Sequence, residues 1–226
     1  MEKVNINFSN PVFKEKSKKQ LKNFIKKIGP LVKIYRKLFP TPMKNGSHWC
    51  RVIMDQESKK MIQKLPFDQL KTLEISGSKW RDFGFSFYKF LDFPEFDLCE
   101  DKIPDKYDLI IAEQVFEHLN YPYRAGRNVY EALNPGGYFL ITVPFLLKIH
   151  NHPIDCTRWS KTGLKHFLVE CGFEIDLIES DSWGNKEAVI KNLDRWVVYD
   201  KQRHSLKNEE NFPLVVWALA KREIDQ

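Results

Sequence analysis

The densest run of chemically capable side chains lies late in the sequence, as His150-Asn151-His152-Pro153-Ile154-Asp155-Cys156-Thr157-Arg158-Trp159. An imidazole titrates near neutrality, so His150 or His152 can take the proton of a hydroxyl nucleophile held within hydrogen-bond reach. Asp155 is a carboxylate that can orient such a base, and Arg158, with Trp159 beside it, can clamp a substrate. Quieter roles compete: either histidine can bond a loop backbone, and Arg158 can pair with Asp155. A second series of polar residues is spread over forty-five positions: Glu74-Ile75-Ser76-Gly77, Asp92 with Asp97, Glu113-Gln114, and Glu117-His118. Each group closes or follows a short apolar run, and that recurrence calls for an account of the elements that carry them.

The runs at 70–75, 87–91, 107–112 and 138–143 alternate with helical patterns, the signature of parallel strands joined by crossover helices. In such an open sheet, ligands bind beyond the carboxyl ends of the strands, which is where these polar groups fall. A helix is expected over 122–133, opened by Pro122 and closed by Asn134-Pro135-Gly136-Gly137. Another is expected over 160–171, with Ser160 as its cap and Gly172 as its stop. Two last strands are read at 173–178 and 213–220, with 183–211 between them as an insertion packed near the site face. Asp92 after the second strand suits a ribose, because one carboxylate can accept from two neighbouring hydroxyls. The first loop, Ser76-Gly77-Ser78-Lys79-Trp80, lacks the Lys-Ser/Thr pair of a phosphate-cradling loop, which disfavours nucleotide hydrolysis. A nucleoside without phosphates, such as S-adenosylmethionine, fits better.

Three motifs carry a resemblance. Leu73-Glu74-Ile75-Ser76, Tyr107-Asp108-Leu109-Ile110 with Glu117-His118-Leu119, and Leu133-Asn134-Pro135-Gly136-Gly137 resemble the first-strand, fourth-strand and fifth-strand motifs of class I S-adenosylmethionine-dependent methyltransferases of the type 11-like group. The resemblance spans about residues 70–180. It implies an α/β, Rossmann-like fold with a mostly parallel seven-stranded sheet and helices on both faces. It also implies Glu74, Ser76 and Gly77 at the methionine end of the cofactor, Asp92 on the ribose and Asp97 near the adenine amino group. Glu113 and Gln114, at the end of the third run, are counted with the cofactor residues. The first loop departs from the family by keeping one glycine of the usual three, and the Glu74–Asp92 interval is about a helical turn short. The segment His150 to Ser160 resembles one found in relatives linked to polysaccharide biosynthesis. Gln114-Val115-Phe116-Glu117-His118 resembles the Glu-x-x-Glu-His metal site of small-RNA and quinone O-methyltransferases, with a neutral amide in place of the first carboxylate. That exchange weakens a divalent-ion site, and no metal is expected.

The domain so read occupies 67–226. Residues 1–66 are expected to be a basic helical extension or lid. Positions 1–64 hold sixteen Lys or Arg against four Asp or Glu, whereas the remainder is net acidic. Leu21, Phe24, Ile25 and Ile28 form one apolar stripe on an otherwise basic helix, and a further helix is expected from a Ser47 cap to about Lys64. Such a helix suits packing on the domain or peripheral contact with an anionic membrane at its inner face; nucleic-acid binding suits it less, because the aromatics fall in apolar register. No stretch is apolar for long enough to span a bilayer and no signal peptide is seen. The four cysteines lack paired spacing, so a cytoplasmic protein is expected. The leading functional expectation is O-methylation of a sugar, a glycan-related molecule or another small acceptor. An RNA methyltransferase with a basic arm, and a non-catalytic methyltransferase-like binding domain, are the alternatives.

Overall fold

The computed structural model describes residues 47–151 and 153–224. The basic extension before Ser47, with its expected lid or membrane helix, and His152 lie outside the described residues.

Six strands form one sheet in the order β2-β1-β3-β4-β6-β5: β1 (Lys71–Ile75), β2 (Phe87–Leu91), β3 (Tyr107–Glu113), β4 (Leu133–Pro144), β5 (Ile178–Trp183) and β6 (Val215–Lys221). The β1–β2, β1–β3 and β3–β4 pairs are parallel, and β6 runs antiparallel to both β4 and β5. Among the described residues four α-helices flank it: α1 (Trp49–Gln63), α2 (Pro122–Ala132), α3 (Lys161–Glu170) and α4 (Lys186–Asp194).

Helices cover both faces, as the alternation along β3 requires. Ile110 and Ala112 join one core with Ala125 and Val129 of α2 and with Leu164, Phe167 and Leu168 of α3. Leu109 and Ile111 face the other core, with Trp49, Met54 and Ile62 of α1 and Ala188 of α4. Helix α1, placed by sequence with the extension, is thus built into this body; burying each large side chain of Trp49, Met54 and Ile62 contributes roughly 1.5–3 kcal/mol.

Several expected boundaries move, each for a local reason. Helix α1 starts after His48 rather than after a Ser47 cap. Its Trp49 N–H donates to the Val197 carbonyl at 2.8 Å, while His48 bridges Val198, so the insertion's backbone satisfies the helix start instead of a hydroxyl. Strand β4 begins at Leu133, taking in the Asn134-Pro135-Gly136-Gly137 run that was expected to be a helix stop. Leu133 pairs with Tyr107, the register slips once before Tyr138 reaches Leu109, and the Asn134 amide donates to Asp108 at 2.7 Å across the irregularity. Strand β5 lies later than 173–178: Phe173 plugs the core, a 3-10 turn covers Ile175–Leu177, and the strand is the polar Ile-Glu-Ser-Asp-Ser-Trp run.

The seventh strand implied by the family resemblance is not among the described residues. After β2, the chain at 98–103 passes through turns tied to α2: the Asn128 side chain accepts from the Ile103 N–H and donates to the Leu98 and Asp101 carbonyls. No described helix is long and apolar enough to cross a membrane.

Candidate cofactor and acceptor site

The carboxyl ends of β1, β2 and β3 form a continuous polar rim. Glu74, the penultimate residue of β1, is buried. Its carboxylate accepts from the Lys79 and Trp80 main-chain N–H groups, both at 3.0 Å, and from the Tyr88 hydroxyl at 2.5 Å. Glu74 therefore shapes the first loop from beneath. Burial first, and then this bond to a carboxylate, push the Tyr88 phenol well above its ordinary range. Gly77 is the position where the loop needs no side chain, since an added Cβ would stand 2.9 Å from Glu74 Oε1. Ser76 donates through its main-chain N–H to the Leu91 carbonyl and through its hydroxyl, at 3.1 Å, to Asp92. Two residues sixteen positions apart, assigned to the same cofactor, are brought together. Asp92 is exposed. Asp97 instead caps a turn, accepting from the Cys99 N–H at 3.0 Å.

Ser76 and Gln114 follow β1 and β3 directly, and both are left-handed, with φ of 56° and 57°. Non-glycine residues in this region carry backbone strain, and such strain concentrates at functional sites. Gln114 is held there by the Thr142 carbonyl and hydroxyl of β4. Its neighbour Glu113, nearly buried, meets Lys79 Nζ at 2.9 Å and Arg51 at 3.8 Å, and Lys79 also reaches Asp55 at 2.9 Å. Arg51, Asp55 and Lys79 were not among the expected site residues. The i,i+4 spacing of Arg51 and Asp55 and the lysine within the glycine-poor loop were the only signals in the sequence.

Beyond β3, a single 3-10 turn carries Glu117 and His118. Glu117 is fully buried, and neither carboxyl oxygen has a hydrogen-bond partner. Burial pushes its carboxyl up to about 8, against the lesser opposing pull of its own backbone N–H and Arg158. His118 bonds the Ile154 carbonyl through Nδ1, turns Nε2 to within 3.5 Å of Glu117 and packs edge-on against His150, ring centres 5.0 Å apart. Trp196 of the insertion meets the His150 ring from another side at 5.6 Å.

The expected acceptor segment is distributed unevenly. Asp155 accepts from the His150 main-chain N–H at 2.8 Å and binds Arg158 through both guanidinium nitrogens. Burial alone would raise the Asp155 carboxyl, but these bonds and charges outweigh it and hold it low. The Cys156 N–H donates to the Glu117 carbonyl at 2.7 Å, fastening this loop to the turn after β3. Trp159, assigned to substrate, is a core residue packed on Phe167; the ring that looked available as a clamp is spent on anchoring the loop.

Residues 67–139 match a family model described as a methyltransferase domain. That segment is similar to a methyltransferase domain, and the family model covers no more of the chain than this. No curated protein matches the sequence. Among solved structures, an S-adenosylmethionine-dependent methyltransferase from Mesorhizobium loti is similar at 17% identity, over 74% of this chain and 96% of that one, with a TM-score of 0.54. A Thermotoga maritima S-adenosylmethionine-dependent methyltransferase described as a possible histamine N-methyltransferase is similar at 13% identity, over 87% and 98%, also at 0.54. The cyclase SpnF shares the fold too, at 14% identity over 91% and 96%, with a TM-score of 0.53.

The rim fits S-adenosylmethionine on its own chemistry. Asp92 with Ser76 offers an exposed carboxylate and hydroxyl to a ribose. The loop at Gly77 has no room for a side chain, since a Cβ would meet Glu74, and the Glu113 charge is already met by Lys79. The exposed Asp92 carboxylate beside Ser76 suits S-adenosylmethionine as the cofactor.

Proposed function

We propose that the protein is an S-adenosylmethionine-dependent O-methyltransferase of a sugar, a glycan-related molecule or another small hydroxylated acceptor. The observation that carries this reading is the adjacency of two chemistries on one sheet edge. The Ser76–Asp92 and Glu113 rim is continuous, through the turn after β3, with the Glu117, His118 and His150 cluster.

When bound, S-adenosylmethionine supplies an electrophilic methyl group on a sulfonium. The chain's contribution is to hold a hydroxyl in line with it, since alignment of two reactants can remove several kcal/mol of the barrier, roughly 7 or more in favourable cases. In-line transfer forms the O–CH3 bond and breaks the S–CH3 bond, whose electron pair stays on sulfur. The hydroxyl proton passes to an imidazole, and His150 and His152 are the candidates for that role. Asp155 fixes the main chain that presents His150, and Arg158 holds Asp155 in turn. Trp196, half exposed beside His150, offers a face on which a sugar ring can lie. A contact of the basic segment before Ser47 with an anionic membrane surface is part of the same proposal and would suit a lipid-linked glycan acceptor.

Calorimetric titration with S-adenosylmethionine tests the reading first: binding is expected, and a folded chain that binds none overturns it. Product analysis with hydroxylated sugars then separates His150→Ala and His152→Ala, one of which should lose turnover while keeping cofactor affinity. Retained turnover in both removes the proton-acceptor assignment.

A further inference from the structure

The Glu117, His118 and His150 cluster combines features that proton transfer alone does not require. One ligand-type atom from each residue lies within 4.8 Å of the others. Two ligands about 2.1 Å from a common ion in tetrahedral array stand about 3.4 Å apart, so closing on one takes about 1.4 Å of side-chain movement at most. His118 already has the arrangement of a metal-binding imidazole: Nδ1 bonds a backbone carbonyl, which fixes the tautomer and leaves the Nε2 lone pair turned toward Glu117. Glu117 is the second, independent observation. It is fully buried, both oxygens lack a hydrogen-bond partner, and the nearby guanidinium of Arg158 is committed to Asp155. A buried carboxyl with no hydrogen-bond partner is costly, and a cation between the imidazoles and the carboxylate would satisfy it. Gln114 takes no part, because its amide is turned to Thr142. The third ligand comes instead from the loop after β4, thirty-two residues beyond His118.

We propose that Glu117, His118 and His150 bind one divalent first-row transition cation. Two imidazoles and one carboxylate suit zinc, manganese, cobalt or ferrous iron, and three protein ligands leave open positions for the acceptor. This deepens the O-methyltransferase reading and rests on it for its purpose; a ligated His150 is spent as a base, so of the two candidate imidazoles His152 then takes the acceptor's proton. A hydroxyl coordinated there sheds its proton more readily, so the cation would select acceptors able to chelate, such as vicinal diols.

The test uses the full chain, dialysed against EDTA and returned to chelator-free buffer. Titration with cobalt(II) chloride is followed by visible absorption and by calorimetry, with zinc chloride as competitor. One equivalent should bind saturably with d–d bands, and zinc should displace it. His118→Ala and His150→Ala should each weaken cobalt binding by more than about tenfold, the least that losing even an outer-shell partner of a metal ligand costs. Circular dichroism and the S-adenosylmethionine titration serve as folding controls. If Glu117→Gln or His118→Ala fails to fold, His150→Ala, on the loop beyond β4, decides alone. Absence of saturable cobalt binding, or binding unchanged in His150→Ala, overturns the proposal. Because cofactor binding is measured on the metal-free chain, failure there overturns the methyltransferase reading and leaves the cation result standing by itself.

Discussion

Lys79, in the loop after β1, places its ammonium 2.9 Å from the Glu113 carboxylate at the end of β3, and the same ammonium reaches Asp55 of α1 at 2.9 Å. A helix outside the expected domain boundary is thereby joined to the rim of the sheet. Glu113 is nearly buried whereas Asp55 is a third exposed, so the two contacts differ in worth. Glu113→Gln should cost about 1.5–3 kcal/mol in urea unfolding, as expected for bonds to charged groups. Asp55→Asn should cost less than about 1 kcal/mol, because solvent screens that pair. Equal losses would show that burial does not set the strength of this network.

Asp92 is exposed just after β2, and its carboxylate accepts only the Ser76 hydroxyl among the bonds described. Asp92→Ala should leave the melting temperature within a degree or two and weaken S-adenosylmethionine binding by about 10- to 100-fold, the equivalent of one lost bond to a charged acceptor. Calorimetry at fixed ionic strength checks it. Undiminished affinity would move the ribose elsewhere.

Gly126 of α2 faces α3 so closely that an added Cβ would stand 2.3 Å from Cys171 Sγ and 3.0 Å from Phe167 Cζ. Gly126→Ala should therefore destabilise by about 1–3 kcal/mol through overpacking. Cys171→Ala in the same chain should restore part of the loss by removing the sulfur. Additive losses in the double variant would show that the strain arises elsewhere.

The four thiols should separate by reactivity. Burial raises Cys50 to about 11 and Cys171 to about 12, and raises Cys99 as well, while Cys156 is exposed. The reactive species is the thiolate, so a raised value means a thiol that stays protonated, and unreactive, well above neutral pH. At pH 8 a disulfide reagent such as Ellman's should titrate one cysteine in the native chain and four in denaturant. Carrying the native reaction to pH 9 should accelerate that one without recruiting a second.

Much of the sheet was legible because a strand buried on both faces needs a continuous apolar run, as β1 and β3 have; β2 is a half-exposed edge strand whose aromatic residues still mark it, and all three fall within a residue of their expected limits. Strand β5 was misplaced because its residues, Ile-Glu-Ser-Asp-Ser-Trp, are polar at the edge of the sheet and carry little apolar signal. The entry to β4 was read as a turn because Pro135 and two glycines usually make one, whereas here they accommodate a slip of register. At the site, the Ser76–Asp92 pairing follows from two strands being neighbours and was foreseeable. The Lys79 network was not, since it depends on where α1 lands. The meeting of His118 and His150 depends on the fold of the 145–158 loop, which no periodicity encodes.

Strand β6 comes last among the described elements, yet it lies inside the sheet between β4 and β5, buried along all but its final residue. Both neighbours leave a ribosome before it does. Until β6 arrives, the inner edge of β4, Tyr138 to Pro144, has no partner on that side, and β5 has no sheet to join. The parallel half that carries Glu74, Asp92 and Glu113 needs none of this pairing to form. A nascent chain can therefore assemble the cofactor rim first, while an apolar strand edge stays open to any other extended chain nearby. Synthesis of β6, rather than the folding of the site, then decides when that edge is closed to aggregation.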